Sequence, residues 1–233
     1  MGRKRKAIGW RARILAALVL LALAGAGWAW WTLRHWTPDA ALWPDQGAEI
    51  SSADGPVRFA TLKALGARFV YLDATDGVRA RDQAFAANFA EARAAGLQVG
   101  AVHRFDPCAM ADGQSAAFVV TVPRGRDLLP PAIALETTAD DCSTPVAEAQ
   151  VESELMTLVN QIEAHAGKPV ILKPSKAFED AYHLAGRIER NLWVSGTWRE
   201  PTYAGRPWLM WTANEAFATD AADQPLRWVV VRP

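Results

Sequence analysis

A single carboxylate ends one short apolar stretch of the sequence. The stretch PPAIALETT, residues 130–138, predicts a buried strand that delivers Glu136 at its far end. Ala134, two residues earlier on the same face of the strand, stands where a second acid would be expected. Paired carboxylates hydrolyse glycosidic bonds, because one protonates the leaving oxygen while the other stabilises the positive sugar centre or positions the nucleophile. Glu136 is therefore either half of such a pair, without its partner, or an isolated acid.

Other polar side chains fall at the ends of the remaining predicted strands. They are Glu49, Ser51, Asp73, Asp76, His103, Arg104, Trp193, Ser195, Trp211, Thr212 and Arg227. Carboxylates handle protons and indoles stack on sugar faces, so this set indicates a carbohydrate site. Trp198 and Trp208 lie in predicted loops and are therefore the better candidates for stacking on sugar rings. Trp193 and Trp211 alternate with apolar neighbours, which is typical of core positions. His103 either orients a substrate or is a core histidine with satisfied hydrogen bonds.

Strands and helices alternate along the chain from residue 48 onward. The strands are apolar runs, which is typical of a parallel sheet covered by helices. Eight strands close most naturally into a barrel, so we predict an irregular parallel (β/α) barrel, TIM-barrel-like, with helix-poor last strands and its site at the carboxyl ends of the strands. An open doubly wound sheet is the alternative, although no Gly-rich phosphate loop follows the first strand. The predicted strands are 48–51, 68–74, 97–105, 132–136, 168–174, 191–196, 207–213 and 227–231, and the predicted helices are 58–66, 81–96, 113–122, 144–167 and 175–186.

The N-terminal part of the chain differs in character from the rest. Residues 14–33 form an apolar segment just long enough to span a bilayer, and the basic segment 1–13 indicates a cytoplasmic N-terminus in the inner membrane. A cleaved signal peptide is the alternative, since the ALA sequence at residues 22–24 has the pattern of a cleavage site. Both interpretations place the barrel domain, residues 47–233, after a linker at 34–46 and in the periplasm or outside the cell.

Charge and cysteine content limit the partners of the exported part. It carries 18 basic and 25 acidic residues, because seven of the 25 basic residues lie within residues 1–34. This acidic balance excludes nucleic acid as a partner, since phosphates attract a basic surface. Cys108 and Cys142 follow neighbouring predicted strands, so we predict a disulfide between them at one end of the barrel. The histidines and cysteines show no metal-ligand spacing, and we predict no metal or other cofactor.

Three stretches of the sequence together resemble glycoside hydrolase family 25. They are AEISSADGPVRFATLKALGARFVYLDATDG, DQAFAANFAEARAAGLQVGAVHRF and LPPAIALE, and the resemblance covers about residues 47–231. Members of this family are lysozymes that cut the β-1,4 bond after N-acetylmuramic acid in peptidoglycan. The resemblance implies a barrel with helix-poor closing strands and peptidoglycan glycan strands as the partner.

The motifs of that family are altered in this sequence. The resemblance assigns the general acid to Glu136, but the aspartate expected two residues before it is Ala134. Glu49 stands for an aspartate of the first strand, Asp73 for a lysine of the second, and Arg227 for an acid of the last. The other departures are Asp54 for a glutamine, Asp76 for a glutamate and Val102 for a tyrosine.

Three functions are compatible with these departures. The first is recognition of glycan strands with weakened or lost cleavage. The second is an active muramidase with Glu136 as general acid and Glu49 or Asp73 as a rearranged second carboxylate. The third is an envelope scaffold without glycan binding. In an inactive site we expect Glu49 and Arg227, on neighbouring strands, to form a salt bridge. The residues predicted to contact a substrate are Asp76, His103, Trp198, Trp211 and Arg227.

Overall fold

The computed structural model describes residues 9–233, except for the side chain of Asp141. The chain divides into two compact units, Met1–Trp36 and Thr37–Pro233. The first unit contains helix α1 (Trp10–Arg34), none of whose residues is buried. Among the described residues, α1 is the one helix long and apolar enough to cross a membrane. The basic residues at positions 3–6 of the predicted cytoplasmic tail lie outside the described part of the chain.

The second unit is a closed barrel of eight strands with helices on its outside. The sheet order β1-β9-β8-β7-β6-β5-β4-β2 closes through the pairing of β1 with β2, and β3 adds a short antiparallel edge to β2. The predicted closed barrel is confirmed, and its last three strands follow one another without a helix. In chain order the elements are β1 (Gln46–Ile50), α2 (Phe59–Ala64), β2 (Ala67–Asp76), β3 (Ala80–Arg81), α3 (Phe85–Ala94), β4 (Gln98–Arg104), α4 (Ala111–Thr121), β5 (Ala132–Leu135), α5 (Glu148–Ala166), β6 (Ile171–Pro174), α6 (Lys176–Tyr182), β7 (Asn191–Ser195), β8 (Met210–Phe217) and β9 (Leu226–Val231).

The sheet is mixed, so the prediction of an entirely parallel barrel is wrong. Strand β9 runs antiparallel to both of its neighbours, β8 and β1, while the other pairs around the barrel are parallel. The connection at residues 218–225 is too short for the crossover of a dozen or more residues that a parallel strand requires. As a result Arg227, near the start of β9, lies at the end of the barrel where the other strands finish.

Several helix ends depart from the predicted positions. Helix α3 begins at Phe85 rather than at Arg81, which lies in β3. Gly167 closes α5, as predicted, but this helix begins at Glu148 rather than at Thr144, because Ala147 directly before it has an extended backbone. Ser175 caps α6 as predicted, yet this helix ends before Gly186, since the residue directly after it adopts a left-handed conformation that stops the helix.

Every second residue of the strands packs into the barrel interior. Tyr71 and Trp193 meet edge to face there, with ring centroids 5.0 Å apart. A Cβ atom on Gly100 would overlap the ring of Tyr71, so the absence of a side chain at this position gives the ring its space. The buried interior cluster comprises Phe69, Tyr71, Val102, Ala132, Ala134, Ile171, Trp193, Met210 and Val229.

Candidate active site

Charged side chains occupy the inward positions just beyond this apolar cluster, at the carboxyl ends of the strands. Asp73, Glu136 and Lys173 each follow an inward core residue by two positions, so they point to the same side of the sheet. Arg227 precedes the inward Val229 by two positions, because β9 is reversed. We call this end of the barrel the mouth. Its charged residues are Glu49, Asp73, Arg104, Glu136, Lys173 and Arg227.

Glu49 and Lys173 form an ion pair inside the mouth. The Nζ atom of Lys173 donates to Oε1 and Oε2 of Glu49 at 2.7 and 2.6 Å, and Glu49 is 0% exposed. Burial by itself raises the pKa of Glu49, but the charges of Lys173 and Arg227 outweigh it and hold this pKa below its usual value. Glu49 is therefore an ionised carboxylate with both oxygens paired.

Sequence reasoning did not single out Lys173, because it lies within the apolar run KPVILKP. The available signal was its position two residues after Ile171, which places it on the inward face of β6. Lys173 is the registered partner of Ala134 on the neighbouring strand β5. Its Nζ atom lies 4.8 Å from the ring centroid of Trp193, a cation–π contact. The small side chain of Ala134 thus adjoins a lysine that turns toward Glu49.

Arg104 joins the other two predicted catalytic carboxylates. Its Nη2 atom donates to Oδ2 of Asp73 at 2.7 Å, and its Nη1 atom donates to Oε2 of Glu136. Nζ of Lys173 lies 3.9 Å from the second oxygen of Glu136. Because one guanidinium group contacts both carboxylates, their bonded oxygens lie within about 7 Å of each other. The structure therefore brings Glu49, Asp73 and Glu136 into one mouth, each beside a cation.

The second oxygen of Asp73 has a different environment. Oδ1 is buried and lacks a hydrogen-bond partner among the described residues. Burial raises the pKa of Asp73, and so does the charge of Glu49, against the opposing charges of Arg227 and Arg104. These surroundings favour the protonated form of Asp73 more than an ion pair alone would suggest.

The salt bridge predicted between Glu49 and Arg227 is present. The Nη1 atom of Arg227 lies 3.7 Å from Oε1 of Glu49 and 3.9 Å from Oδ2 of Asp73. Its Nη2 atom lies closer, at 3.2 Å, to Oδ2 of Asp54, which also accepts the backbone N–H of Ser51 at 2.6 Å. Arg227 thus ties β9 to the first two strands of the barrel across the mouth.

His103 lies behind the sheet, so its predicted contact with a substrate does not fit the structure. It is 0% exposed, and burial lowers its pKa to about 4. Gln114 donates to two backbone carbonyls, so its Oε1 atom must accept from Nε2 of His103, at 3.2 Å. Nδ1 then accepts from the hydroxyl of Thr75, at 2.8 Å. His103 is a neutral core histidine that fixes the loop after β4, the alternative already open from the sequence.

The tryptophans predicted to contact a substrate lie in different surroundings. Trp198 lies in the loop after β7, is 45% exposed and has a left-handed backbone with φ 68°. Trp211 packs on the outer face against Trp43 and Trp208, with ring centroids 5.7 and 6.2 Å away, because its neighbour Thr212 takes the inward position. The predicted substrate contact of Trp211 therefore does not fit, and neither does a stacking role for the buried Trp208.

The predicted disulfide between Cys108 and Cys142 is present, with 5.4 Å between the Cα atoms. It joins the loops that follow β4 and β5, both at the mouth. Gln114 holds the first of these loops as well, since it accepts the backbone N–H of Asp106 at 2.8 Å. The loop walls beside Glu136 are therefore fixed by one covalent bond and one buried amide.

Two clefts flank the Arg104–Glu136 ion pair. One, of about 310 Å³, contains Glu136, Lys173 and Tyr203 in its lining. The other, of about 200 Å³, lies beside Asp73, Arg104 and the exposed Asp76. Within the described part of the chain, no group of three or more histidine, cysteine, aspartate or glutamate residues has the arrangement of a metal site. The mouth offers hydrogen-bonding and ionic groups beside open space, which suits a polar ligand.

A closed barrel with carboxylates at its carboxyl-terminal mouth is an arrangement that glycoside hydrolases use. Residues 48–217 match the family model of the glycosyl hydrolases family 25, and the chain belongs to this family.

Several known proteins are similar to this chain. YegX of Escherichia coli O6:H1, described as uncharacterized, is 26% identical over 163 residues, which cover 68% of this chain and 57% of YegX. The chain thus spans little more than half the length of that relative. Lysozyme M1 of Streptomyces globisporus is 33% identical over 73 residues, 31% of this chain and 25% of the lysozyme. A family 25 glycosyl hydrolase from Bacillus anthracis shares the fold, with a TM-score of 0.76, 24% identity and coverage of 86% of this chain and 93% of that one.

Proposed function

We propose that this protein is a membrane-anchored family 25 domain that recognises peptidoglycan glycan strands and cleaves them weakly or not at all. Membership of the family and the similarity to a protein named a lysozyme support peptidoglycan as the ligand. The observation that carries the loss of cleavage is the ion pairing at the mouth, where Glu49, Asp73 and Glu136 each contact a cation.

Hydrolysis requires a protonated acid at the leaving oxygen and a second carboxylate at the sugar centre. Glu136 holds the position of the acid, but its carboxylate accepts a hydrogen bond from Arg104 and faces Lys173. Glu49 is sealed under Lys173, and Ala134 provides no carboxylate. Catalytic groups must lie within about 0.5 Å of their productive positions. Side chains that neutralise one another in this way are positioned for mutual pairing rather than for bond cleavage.

The same residues are well suited to binding. Asp73, Arg104 and Glu136 lie between the two clefts, so a glycan strand that crosses the mouth passes over the whole ion-pair network. Sugar hydroxyl and acetamido groups form hydrogen bonds with charged side chains of this kind. Trp198 is exposed at the mouth end and Tyr203 lines one cleft, so both present aromatic faces for stacking on sugar rings.

The proposed location is the inner membrane, with the N-terminus in the cytoplasm and the barrel in the periplasm or outside the cell. Helix α1 has the length and apolar composition of a membrane span, and Trp28, Trp30 and Trp31 fall near its end, as in an interfacial aromatic belt. The disulfide supports an oxidising compartment. The alternative is a signal peptide cleaved within residues 14–33, which leads to the same compartment without the anchor.

The test is release of reducing ends from purified peptidoglycan by the full chain in detergent, together with pull-down on the same sacculi. We expect pull-down with little or no release, and no further loss of release in Glu136→Gln. The matched control is Glu189→Gln, an exposed glutamate in the loop before β7. Efficient release that Glu136→Gln abolishes and Glu189→Gln leaves intact would overturn the loss of cleavage. Failure to bind sacculi would instead favour the envelope scaffold.

An active muramidase is the second candidate, and one observation favours it. Arg104 holds Asp73 within about 7 Å of Glu136, a separation in the range of glycosidase carboxylate pairs. The raised pKa of Asp73 also gives the mouth a group that retains a proton more readily than an ordinary aspartate. In this case Asp73→Asn abolishes release as completely as Glu136→Gln does, whereas Ala134→Asp has no effect. If the missing aspartate is the cause of inactivity, Ala134→Asp increases release.

A further inference from the structure

A further cavity, separate from the two clefts of the mouth, opens at the opposite end of the barrel. It has a volume of about 620 Å³, within the range of about 300–1,000 Å³ that small-molecule sites occupy. Phe69, Tyr71, Ile171 and Met210 line its inner part and are themselves buried members of the interior cluster. We call it the floor pocket. It lies where β2, β6 and β8 begin and β9 ends, and none of the six charged mouth residues lines it.

The walls of the floor pocket are apolar and only partly covered. Leu129, Leu209 and Val231 pack against the interior cluster yet remain half-buried. The hydroxyl of Tyr71 donates to Pro130 O, at 3.0 Å, so the polar atom deepest in the pocket already has a partner. Apolar surface that stays in contact with water forgoes the stabilisation that its burial would give to the protein, in proportion to its area. This lining therefore gains most from an apolar ligand that needs no hydrogen bonds along its length.

The surroundings of the pocket entrance are basic, although the domain as a whole is acidic. Lys63 and Arg68 stand at the entrance itself, and Asp45 is paired with Arg68 at 2.7 Å. Asp45 and Asp127 are the acidic residues in the lining of this cavity and of the adjoining one, and Glu163, also at this end, is paired with Arg190. The basic residues of this end are Lys63, Arg68, Arg93, Arg124, Arg126 and Lys168. The excess of positive charge attracts an anion to the rim of an apolar pocket.

The chain also enters the barrel domain at this end. Nε2 of Gln46, the first residue of β1, donates to Pro38 O and Trp43 O, both at 2.9 Å. Trp43 stacks on Trp208, with ring centroids 5.9 Å apart, and so fixes the entering segment on the domain. The residues that follow the apolar helix in sequence are thus bound at the end that carries the floor pocket.

We infer that the floor pocket binds the acyl chain of an anionic phospholipid, with the phosphate at Lys63 and Arg68. An acyl chain supplies apolar length without polar groups, and the phosphate complements the basic rim. The membrane in which helix α1 is proposed to lie is the source of this lipid. The inference uses the end opposite to the proposed glycan site, so lipid binding and glycan binding succeed or fail separately.

The test is photolabelling of the full chain in nanodiscs that contain phosphatidylglycerol with a diazirine near the end of its acyl chain. We expect labelled peptides around Leu129 and Leu209, in addition to those of α1. The variant Leu209→Trp fills the pocket and reduces labelling at Leu129 by about ten-fold. The matched control Met110→Trp, at an exposed position of the mouth end, leaves this labelling unchanged. Denaturant unfolding, measured on the same preparations, serves as an independent check that each variant is folded.

Two further arms decide the role of the head group. A phosphatidylcholine probe, or the double variant Lys63→Glu/Arg68→Glu, is expected to reduce pocket labelling by about ten-fold, since each basic residue near a membrane contributes on the order of 1 kcal/mol. Labelling confined to α1 would overturn the inference. So would pocket labelling that Leu209→Trp does not change, because it indicates adsorption of the barrel surface to the bilayer. Equal labelling by both lipids overturns the assignment of an anionic lipid.

Discussion

The two ends of the same barrel are filled in opposite ways. At the mouth, six charged residues neutralise one another, and Glu49 is buried under Lys173 with both oxygens paired. At the other end the inward residues are apolar, and about 620 Å³ is left open beside Leu129, Leu209 and Val231. Both ends are built from alternate residues of the same strands, so the backbone alone does not determine which end holds space for a ligand.

The difference shows that the charged layer of the mouth and the apolar interior are separate parts of one barrel. An aspartate at position 134 would lie beside Lys173 in the register of β5 and β6, whereas alanine leaves that lysine to donate to both oxygens of Glu49. Each basic side chain of the mouth has acidic partners there, as Arg227 has in Asp54 and Glu49. The interior remains packed below this layer, because the apolar cluster does not depend on the charges above it.

The largest expected effect is on the buried pair of the mouth. Lys173→Met leaves the buried charge of Glu49 without its hydrogen-bonded partner and with only the longer contact to Arg227, which costs about 3–5 kcal/mol of folding stability. The double variant Glu49→Gln/Lys173→Met removes both charges and is expected to recover most of that loss. Denaturant unfolding of both variants in detergent, with wild type beside them, measures the difference. A loss below about 1 kcal/mol for Lys173→Met would mean that water or Arg227 replaces the lysine.

The second comparison of the two ends concerns how folding stability depends on pH. His103 lies in β4, close to the mouth and far from the floor pocket. Above pH 6.5 this histidine is neutral in both folded and unfolded chains. Between pH 6.5 and about 4 the unfolded chain binds a proton that the folded chain excludes, so the stability due to His103 falls as the pH falls. The total loss is about 3 kcal/mol and is complete below pH 4.

His103→Gln tests this pH dependence, because glutamine retains hydrogen bonding but does not titrate. We expect the stability of the variant, relative to wild type, to improve as the pH falls from 6.5 to 4. Thermal unfolding at half-unit pH steps gives both curves. Parallel curves through this interval would show that His103 carries a proton in the folded protein or that other groups dominate its acid sensitivity.

The smallest expected effect is at the floor. Leu209→Ala removes a side chain that already borders open space, so we expect a loss of about 1 kcal/mol without bound lipid. Leu158→Ala, in the closed layer between α5 and the sheet, is the matched control and is expected to cost about 2–5 kcal/mol. Equal losses at the two positions, measured by denaturant unfolding, would mean that the floor pocket is closed in solution.

Much of the fold was predictable because its signals are local. Apolar runs of strand length separated by amphipathic helices gave all eight barrel strands, and Gly167 and Ser175 marked real helix ends. The direction of β9 was not recognised, since an apolar run such as RWVVV does not indicate whether its strand is parallel or antiparallel to its neighbours. The length of the connection before it carried the information: residues 218–225 cannot hold a crossover helix.

The candidate site was predictable in position but less so in its partners. Glu49, Asp73 and Glu136 were placed at the mouth by the ends of their predicted strands. Arg227 begins its predicted strand, so it lies at the mouth only because β9 is reversed, and its role was suggested by the family resemblance instead. Lys173 was missed because a lysine within an apolar run resembles a surface interruption until the register of β5 and β6 is known. His103 and Trp211 were misplaced for the opposite reason, since a single polar or aromatic residue on a strand does not reveal which face it occupies when both faces are buried.

The reversed last strand also determines where the polypeptide joins and leaves the barrel. Because β9 descends while β1 ascends, Gln46 and Val231 lie at the same rim, where Asp45 O accepts the backbone N–H of Val231 at 2.9 Å. The first and last strands of the barrel domain therefore both connect at the rim opposite the mouth. A reporter fused after Pro233 would accordingly begin at this rim and not beside the charged residues of the mouth.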